Sequence, residues 1–173
     1  MTLVEIGRWL VAAPFTAILA WAAVSDVRVR KIPNWTVLAV LGLFGPWAVL
    51  STPAWVLWAL AAGAIALAAS LCLYALGVIG AGDSKLFAAV ALFTGLDELP
   101  RLTLAMALVG GAIALVSMVT RPRRAMTMLA LRGKGDFGRG IPYGVAIAVA
   151  GAALVWAGLL GLPMTFDLAF IPS

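Results

Sequence analysis

The sequence predicts an all-α, polytopic membrane protein with about six transmembrane helices, and three observations support this fold class. Of the 173 residues, 64% are hydrophobic and only 11% are charged, whereas a soluble domain is about half apolar and one-quarter charged. The apolar residues form long runs without acidic residues. The few charged residues lie between these runs, as expected for helices that cross a bilayer. We therefore expect one membrane-embedded domain covering residues 1–173.

Six apolar runs mark the predicted helices, and five of them approach or exceed the roughly 20 residues that a helix needs to cross a bilayer. The runs are Trp9–Val24, Trp35–Leu50, Ala54–Ile79, Leu86–Leu96, Leu102–Thr120 and Ile141–Leu162. The fourth run is too short, with only 11 residues between Lys85 and Asp97. It can cross only by including polar residues at an end, which would draw Asp83 to the membrane surface. A re-entrant or tilted half-helix is the alternative for this segment.

Proline positions support three of the predicted helix starts. Pro33 precedes the second run, Pro53 precedes the third, and Pro142 opens the last. Proline suits the first turn of a helix, because its missing N–H would have no partner there. The sequence therefore predicts helices that begin close to these three residues.

The lysines and arginines between the runs predict the orientation of the chain. With six spans, one set of connections holds only Arg8 and Arg101. The other set holds Arg28, Arg30, Lys31, Lys85, Arg121, Arg123, Arg124, Arg132, Lys134 and Arg139. Because basic loops stay in the cytoplasm, we expect the second set there, including a basic loop at about 121–140, and both termini on the other side. A cleaved signal peptide over residues 1–22 is the alternative, although its amino-terminal region is only weakly basic.

Two aspartates are candidate functional residues, because placing a carboxylate at a membrane boundary is unfavourable in free energy. Asp26 follows the first run and Asp83 follows the third, so both lie on the predicted cytoplasmic side, whereas Asp97, Glu98 and Asp167 lie on the other. Two carboxyls that meet can hydrolyse a peptide bond: one takes a proton from water, and the other, protonated, hydrogen-bonds the scissile carbonyl oxygen. Close carboxylates do not both ionise readily, so one keeps its proton near neutral pH.

The chain lacks the side chains that several rival chemistries require. It has no histidine and one cysteine. Ser-His and Cys-His nucleophile systems, His-ligated metals, internal disulfides and paired-cysteine zinc sites are therefore excluded. The net charge of +5 does not indicate nucleic-acid binding, because the basic residues cluster between apolar runs, where they signal topology. The chemistry of two carboxyls needs no metal and no cofactor.

Asp83 belongs to a Gly-x-Gly-Asp pattern whose glycines have a physical role. Gly80 and Gly82 lack a Cβ atom, so the chain can turn sharply and a neighbouring helix or a substrate can approach closely. The pattern alone is weak, since Gly133–Asp136 fits it equally well. Asp136 lies in the basic loop with no apolar run beside it, so we expect it to be solvated.

Structural roles remain open for the same residues. Asp26 could cap a helix end or balance Arg28 and Arg30, and Asp83 could be the N-cap of the fourth helix. Lys85 is expected to anchor that helix at the membrane interface. Capping and catalysis are compatible, so these alternatives do not exclude a catalytic pair.

Three segments, in order along the chain, resemble the type IV prepilin peptidase family. The first aspartate motif of that family is matched by Asp26, Arg28, Arg30, Lys31, Ile32, Pro33 and Asn34. Gly80–Leu86 resembles the second, the Gly-x-Gly-Asp motif also used by presenilin-like and preflagellin proteases. Gly140–Ala148 resembles the opening of the family's last helix. The combination is far more specific than any single segment.

This resemblance implies an aspartyl endopeptidase whose catalytic pair is Asp26 and Asp83. The supporting motif residues would be Gly80, Gly82, Lys85, Arg28, Pro33 and Asn34. Such enzymes remove a short basic leader from pilin precursors, before the pilin's hydrophobic helix, at the cytoplasmic face of the bacterial inner membrane. Larger members carry an extra cytoplasmic segment with paired cysteines, associated with N-methylation. This chain resembles the short branch that serves Flp/Tad-type pili, so methyltransferase activity is not expected.

Two other classes of function stand as alternatives. A small proton-coupled transporter would carry acids deep within its helices, whereas the six apolar runs contain none. A non-enzymatic subunit for pilus or secretion assembly would tolerate the loss of both aspartates. A protease that cuts within transmembrane helices, as presenilin does, is a variant of the leading hypothesis.

Overall fold

The structure is a computed structural model that describes residues 2–120 and 142–162. These residues form helices, and short connections join those within residues 2–120. The helices are α1 (Leu3–Val29), α2 (Asn34–Val49), α3 (Pro53–Ala75), α4 (Ala81–Thr94), α5 (Leu99–Thr120) and α6 (Tyr143–Leu159). The predicted all-α class is therefore confirmed for the described part of the chain. The basic loop at about 121–140, with Asp136, and the predicted outer residue Asp167 lie outside the described residues.

Three of these helices, α1, α3 and α5, are long and apolar enough to cross a membrane. The apolar helices α2 and α6 are shorter, with 16 and 17 residues. Large apolar side chains are exposed on the described helices, among them Leu57, Leu60, Leu71 and Leu108. Apolar surface of this kind is typical of contact with lipid or protein rather than with water. The fold is that of a membrane protein, while six spans, outer termini and a single domain stay predictions.

Helix α1 extends further than the first apolar run predicted. It continues to Val29, so Asp26 lies within the helix and not just after it. The helix stops at Arg30, which has a left-handed backbone (φ 55°) and donates its N–H to the carbonyl oxygen of Asp26 at 3.0 Å. An apolar run predicts the lipid-embedded part of a helix, whereas the backbone conformation at one residue decides where the helix ends.

The later helix starts agree with the proline positions. Pro33 and Pro142 are the N-cap residues of α2 and α6, and Pro53 is in the first turn of α3. The hydroxyl oxygen of Thr52 accepts from the N–H of Trp55 at 3.3 Å, which satisfies one of the free N–H groups at the start of α3. The prolines therefore marked these boundaries more closely than the apolar runs did.

Helix α4 is the central helix of the described bundle, since it contacts α2, α3, α5 and α6. It begins at Ala81 and includes Asp83 and Lys85, so the short fourth run takes in polar residues as expected. Eight of its 14 residues are buried. Because neighbours enclose α4 so fully, its first turn has a fixed position relative to the surrounding helices.

Two glycines allow the neighbouring helices to approach α4 closely. A Cβ atom at Gly63 of α3 would lie 2.6 Å from Cδ2 of Leu92, and one at Gly151 of α6 would lie 2.4 Å from Cγ1 of Val90. Both distances are far shorter than a van der Waals contact. Small residues at these positions therefore bring the backbones of α3 and α6 against α4, as is common between membrane helices.

Helices α1 and α6 pack side by side in opposite directions. In the amino-terminal half of α1, the ring centroids of Trp9 and Trp156 are 5.1 Å apart, and Nε1 of Trp156 donates to Oγ1 of Thr16 at 2.8 Å. At the other end of the pair, the last turns of α1 meet the first turn of α6. This packing places Asp26 beside the start of α6.

Candidate active site

The carboxyl of Asp83 is anchored by one oxygen in the first turn of α4. The N-cap residue of this helix is Gly80. The alternative that Asp83 is the N-cap is therefore wrong. Oδ2 of Asp83 accepts from the N–H of Gly80 at 3.2 Å, and a Cβ at Gly80 would lie 2.9 Å from that oxygen. Oδ1 of Asp83 is buried and has no hydrogen-bond partner among the described residues. One oxygen therefore holds the carboxyl in place and the other is available to a ligand.

Two buried serines hold the first turn of α4 against α3. Oγ of Ser84 is within hydrogen-bond distance of the carbonyl oxygens of Ser70 (3.2 Å) and Gly80 (3.1 Å). Oγ of Ser70 in turn donates to the carbonyl oxygen of Ser84 at 3.4 Å. Since Ser84 directly follows Asp83, this serine pair fixes the backbone from which the Asp83 carboxyl projects.

Asp26 is 7% exposed, and its carboxyl faces the start of α6. Oδ2 accepts from the N–H of Gly144 at 2.9 Å, and the N–H of Val145 also interacts with this carboxyl. The first N–H groups of a helix have no partner within the helix, which makes them natural donors to a carboxylate oxygen. The side chain of Asp26 therefore binds the start of another helix and does not cap its own.

Gly144, Ile32 and Gly82 bring the two aspartates to the same end of the bundle. A Cβ at Gly144 would lie 2.8 Å from Oδ2 of Asp26 and 3.0 Å from Cδ1 of Ile32. A Cβ at Gly82 would lie 3.2 Å from Cβ of Ile32. Ile32 thus packs between the first turns of α4 and α6. The contact between Gly144 and Asp26 spans 118 positions of the chain, so nothing in the order of residues signals it.

The two carboxyls interact electrostatically. Burial, followed by the negative charge of Asp26, raises the pKa of Asp83 from 3.8 to about 6, although the N–H of Gly80 acts in the opposite direction. Asp83 lies at the start of α4, outside the three long membrane helices. Like charges that share a buried site disfavour double ionisation. Near neutral pH the Asp83 carboxyl is therefore protonated for part of the time and can then donate a hydrogen bond.

Three of the predicted supporting residues, Arg28, Asn34 and Lys85, are exposed in the structure. The cation whose charge acts on Asp26 is Arg30, which ends α1. Spacing along a helix explains the difference, because a residue two positions from Asp26 points to another side of α1. A functional role for the exposed three stays a prediction.

Metal-ligating side chains do not gather at this site. Within residues 2–120 and 142–162, no group of three or more His, Cys, Asp or Glu residues is arranged to hold a metal ion. Cys72, the lone thiol, is exposed on α3. The reactive groups that the described residues bring to this end of the bundle are two carboxyls, which suit acid–base chemistry.

The fold and these carboxyls define a class of protein: an α-helical membrane protein with a buried pair of acids at one end of its bundle. The sequence model of the type IV leader peptidase family matches residues 13–115, which is more than half of the chain. The chain therefore belongs to this family, and the suspected prepilin peptidase resemblance is confirmed. No curated protein and no solved structure matches the chain at a significant level. Asp26 and Asp83 lie inside the matched region, whereas Gly144 lies beyond it.

Proposed function

We propose that this protein is an aspartyl endopeptidase that removes the basic leader from Flp/Tad-type prepilins at the cytoplasmic face of the bacterial inner membrane. The observation that carries the proposal is the pair of interacting carboxyls in a chain of the type IV leader peptidase family. Asp83 has a raised pKa and one oxygen without a partner among the described residues, and Asp26 accepts a hydrogen bond from the start of α6. Two interacting carboxyls, one of them with a raised pKa, support a two-carboxyl mechanism of peptide hydrolysis.

The two carboxyls take different roles in the proposed reaction. Asp26, held by the N–H of Gly144, is the carboxylate that accepts a proton from a water molecule. The water oxygen then attacks the carbonyl carbon of the scissile peptide bond. Asp83, in its protonated form, donates a hydrogen bond from Oδ1 to the carbonyl oxygen as negative charge develops there. The proton on Asp26 passes to the peptide nitrogen, the C–N bond breaks, and the new carboxyl and amine leave.

Charge and composition support the substrate assignment. The leader of a prepilin is basic, and the candidate site presents two acids that can pair with basic residues of the leader. The Lys and Arg residues that flank the predicted spans favour a cytoplasmic position for this end. The sequence has one cysteine, Cys72, whereas the branch with N-methyltransferase activity is associated with paired cysteines. These features favour the short, peptidase-only branch.

The proposal is tested by replacing each acid with the amide of the same shape. We expect Asp26→Asn and Asp83→Asn to reduce cleavage of a co-expressed Flp-type precursor by on the order of 10⁴-fold, because an amide neither accepts the proton from water nor donates one as an acid. Asparagine keeps an oxygen that can accept from the N–H of Gly144 or Gly80, so the fold should persist. The measurement is the size shift of the pilin on a gel, with membrane-inserted enzyme quantified alongside.

Two matched acids serve as controls. Asp97 is exposed and follows the far end of α4, and Asp136 completes the second Gly-x-Gly-Asp pattern. Asp97→Asn and Asp136→Asn should both process the precursor at the wild-type rate. Normal processing by Asp26→Asn or Asp83→Asn would exclude the proposed reaction, and loss of processing by Asp136→Asn alone would mean that the other Gly-x-Gly-Asp carries the chemistry.

A further inference from the structure

A second polar region lies at the opposite end of the bundle, where the described residues enclose an open cavity of about 500 Å³. Its lining includes Arg8, Trp47, Trp55, Glu98, Arg101 and Leu159. Because α1 rises about 1.5 Å per residue, Arg8 lies about 27 Å along the helix from Asp26. That distance is close to the roughly 30 Å thickness of the hydrocarbon core. The cavity and the two aspartates therefore lie near opposite boundaries of the membrane.

Two residues of the cavity lining, Arg8 and Glu98, each have a buried polar atom without a described partner. Nε of Arg8 is a donor, and Oε2 of Glu98 is an acceptor, and neither has a hydrogen-bond partner among the described residues. The guanidinium of Arg8 is held in place, since Nη2 donates to the carbonyl oxygen of Leu50 at 3.1 Å and the group lies 5.9 Å from the ring centroid of Trp47. Buried polar atoms are normally satisfied, so the pair points to a ligand that both accepts and donates.

The charges in the cavity specify the ligand further. Glu98 forms an ion pair with Arg101 through Oε1, and this pair is neutral as a unit. Arg8 then supplies one positive charge that none of the lining carboxylates balances. A ligand with one negative charge, an anionic oxygen and a hydroxyl group would match the charge, the donor and the acceptor together.

We propose that this cavity binds the headgroup of phosphatidylglycerol. Its phosphate oxygen accepts from Nε of Arg8, and a glycerol hydroxyl donates to Oε2 of Glu98. Trp47 and Trp55 also line the cavity, and tryptophan favours the membrane interface. The apolar lining that includes Leu159 would contact the start of the acyl chains. Phosphatidylcholine has the phosphate but no donor, and phosphatidylethanolamine adds a cation beside two arginines. A cavity of this size falls within the usual range for small-molecule sites.

The test measures the melting temperature of the purified, delipidated protein in detergent with different additives. Phosphatidylglycerol should raise the melting temperature in a saturable way, whereas phosphatidylcholine and phosphatidylethanolamine at the same concentration should raise it less than half as much. Soluble glycerol phosphate should leave it unchanged. Equal stabilisation by phosphatidylcholine or phosphatidylethanolamine would overturn the assignment, and full stabilisation by glycerol phosphate would show a site for free phosphate and not for lipid.

Variants of Arg8 and Glu98 test whether Nε of Arg8 and Oε2 of Glu98 bind the lipid headgroup. Arg8→Gln and Glu98→Gln should each weaken binding of phosphatidylglycerol about tenfold, as counted by native mass spectrometry of the lipid-bound fraction. Asp97→Asn, which removes an exposed acid beside Glu98, should bind like the wild type. If Arg8→Gln does not fold, Arg8→Lys keeps the charge while removing the Nε donor and should also bind more weakly. Wild-type binding by Glu98→Gln together with either Arg8 variant would overturn the proposal.

Discussion

The two ends of this helix bundle hold charged groups of opposite electrostatic character. At one end, Asp26 and Asp83 carry like charges, and burial together with the Asp26 charge raises the pKa of Asp83 to about 6. At the other end, Glu98 and Arg101 carry opposite charges and pair with each other, next to Arg8. Like charges in a buried site create an acid that can exchange a proton near neutral pH. Opposite charges form a neutral pair that has no such driving force, and the remaining donor and acceptor suit binding.

The comparison teaches that burial alone does not indicate what a polar group does. Both ends contain an oxygen without a partner among the described residues, Oδ1 of Asp83 and Oε2 of Glu98. What separates them is the sign of the nearest charge, which is negative for Asp83 and positive for Glu98. Mutations that act on one end and leave the other unchanged can therefore test whether the two ends have different functions.

Apart from replacement of the two aspartates themselves, the largest effect is expected from Gly144→Ala. The added Cβ would lie 2.8 Å from Oδ2 and 3.0 Å from Cβ of Asp26, so the carboxyl should shift and the start of α6 should move slightly away from α1. A displacement of about 1 Å in a catalytic group can cost on the order of 10²-fold in rate. We expect prepilin processing to fall by that factor, measured as an initial rate per membrane-inserted enzyme.

The matched control for Gly144→Ala is Gly111→Ala in α5, where an added Cβ meets no atom within 4 Å. Processing by that variant should equal the wild type. Stabilisation by phosphatidylglycerol should persist in both variants, because the cavity is at the other end of the bundle. Full activity in Gly144→Ala would show that the position of Asp26 is not critical to the reaction.

The next largest effect concerns stability and pH. The folded-state pKa of Asp83 is raised from 3.8 to about 6, so the folded protein binds more protons than the unfolded chain between these values. The wild type therefore loses stability as the pH rises from about 4 through 6. Asp83→Asn does not titrate, and we expect it to be more stable than the wild type by on the order of 2 kcal/mol at pH 8.

The difference in stability between Asp83→Asn and the wild type should shrink towards zero as the pH falls to 4. Thermal unfolding in detergent from pH 8 to pH 4 measures this difference. The same variant should have lost its peptidase activity, so activity and stability move in opposite directions. Glu98→Gln serves as the contrast, since it removes one member of an opposite-charge pair and should not gain stability at pH 8. A variant Asp83→Asn that is less stable than the wild type at pH 8 would contradict the raised pKa.

The smallest effect is expected from Lys85→Gln. The side chain of Lys85 is exposed two residues after Asp83, so its ammonium group is solvated in either state. The free energy of unfolding and the activation free energy of processing should each change by less than about 0.5 kcal/mol. A tenfold loss of processing in this variant would show that the ammonium group reaches the carboxyl pair, which would make Lys85 a second counter-charge beside Arg30.

Much of this fold followed from local sequence patterns. Apolar runs predicted the order of the described helices, and Pro33, Pro53 and Pro142 predicted three of their starts. The short fourth run predicted that α4 takes in Asp83. These features depend on hydrophobicity and backbone chemistry within a few residues, which a sequence displays directly. The end of α1 was missed because it depends on the left-handed conformation of Arg30.

The site was predicted only in part, for a related reason. Asp26 and Asp83 are recognisable because acids are rare in this chain, but the donor to Asp26 comes from Gly144, and the spacer between the helices is Ile32. Both belong to contacts between distant segments, and neither residue type indicates a carboxyl partner. The cavity at the other end was hidden similarly, since Arg8 and Arg101 served in the sequence only as markers of orientation.

The hydrogen bond from Gly80 to Asp83 has a consequence for how substrate meets the site. A free aspartate side chain samples several rotamers. Fixing it in one rotamer when a peptide binds would cost conformational entropy. Here Oδ2 is already held at 3.2 Å from the N–H of Gly80, so the direction of Oδ1 is set before any peptide binds. The loss of rotational freedom is incurred once, during folding, and each catalytic cycle then begins with a pre-organised acid.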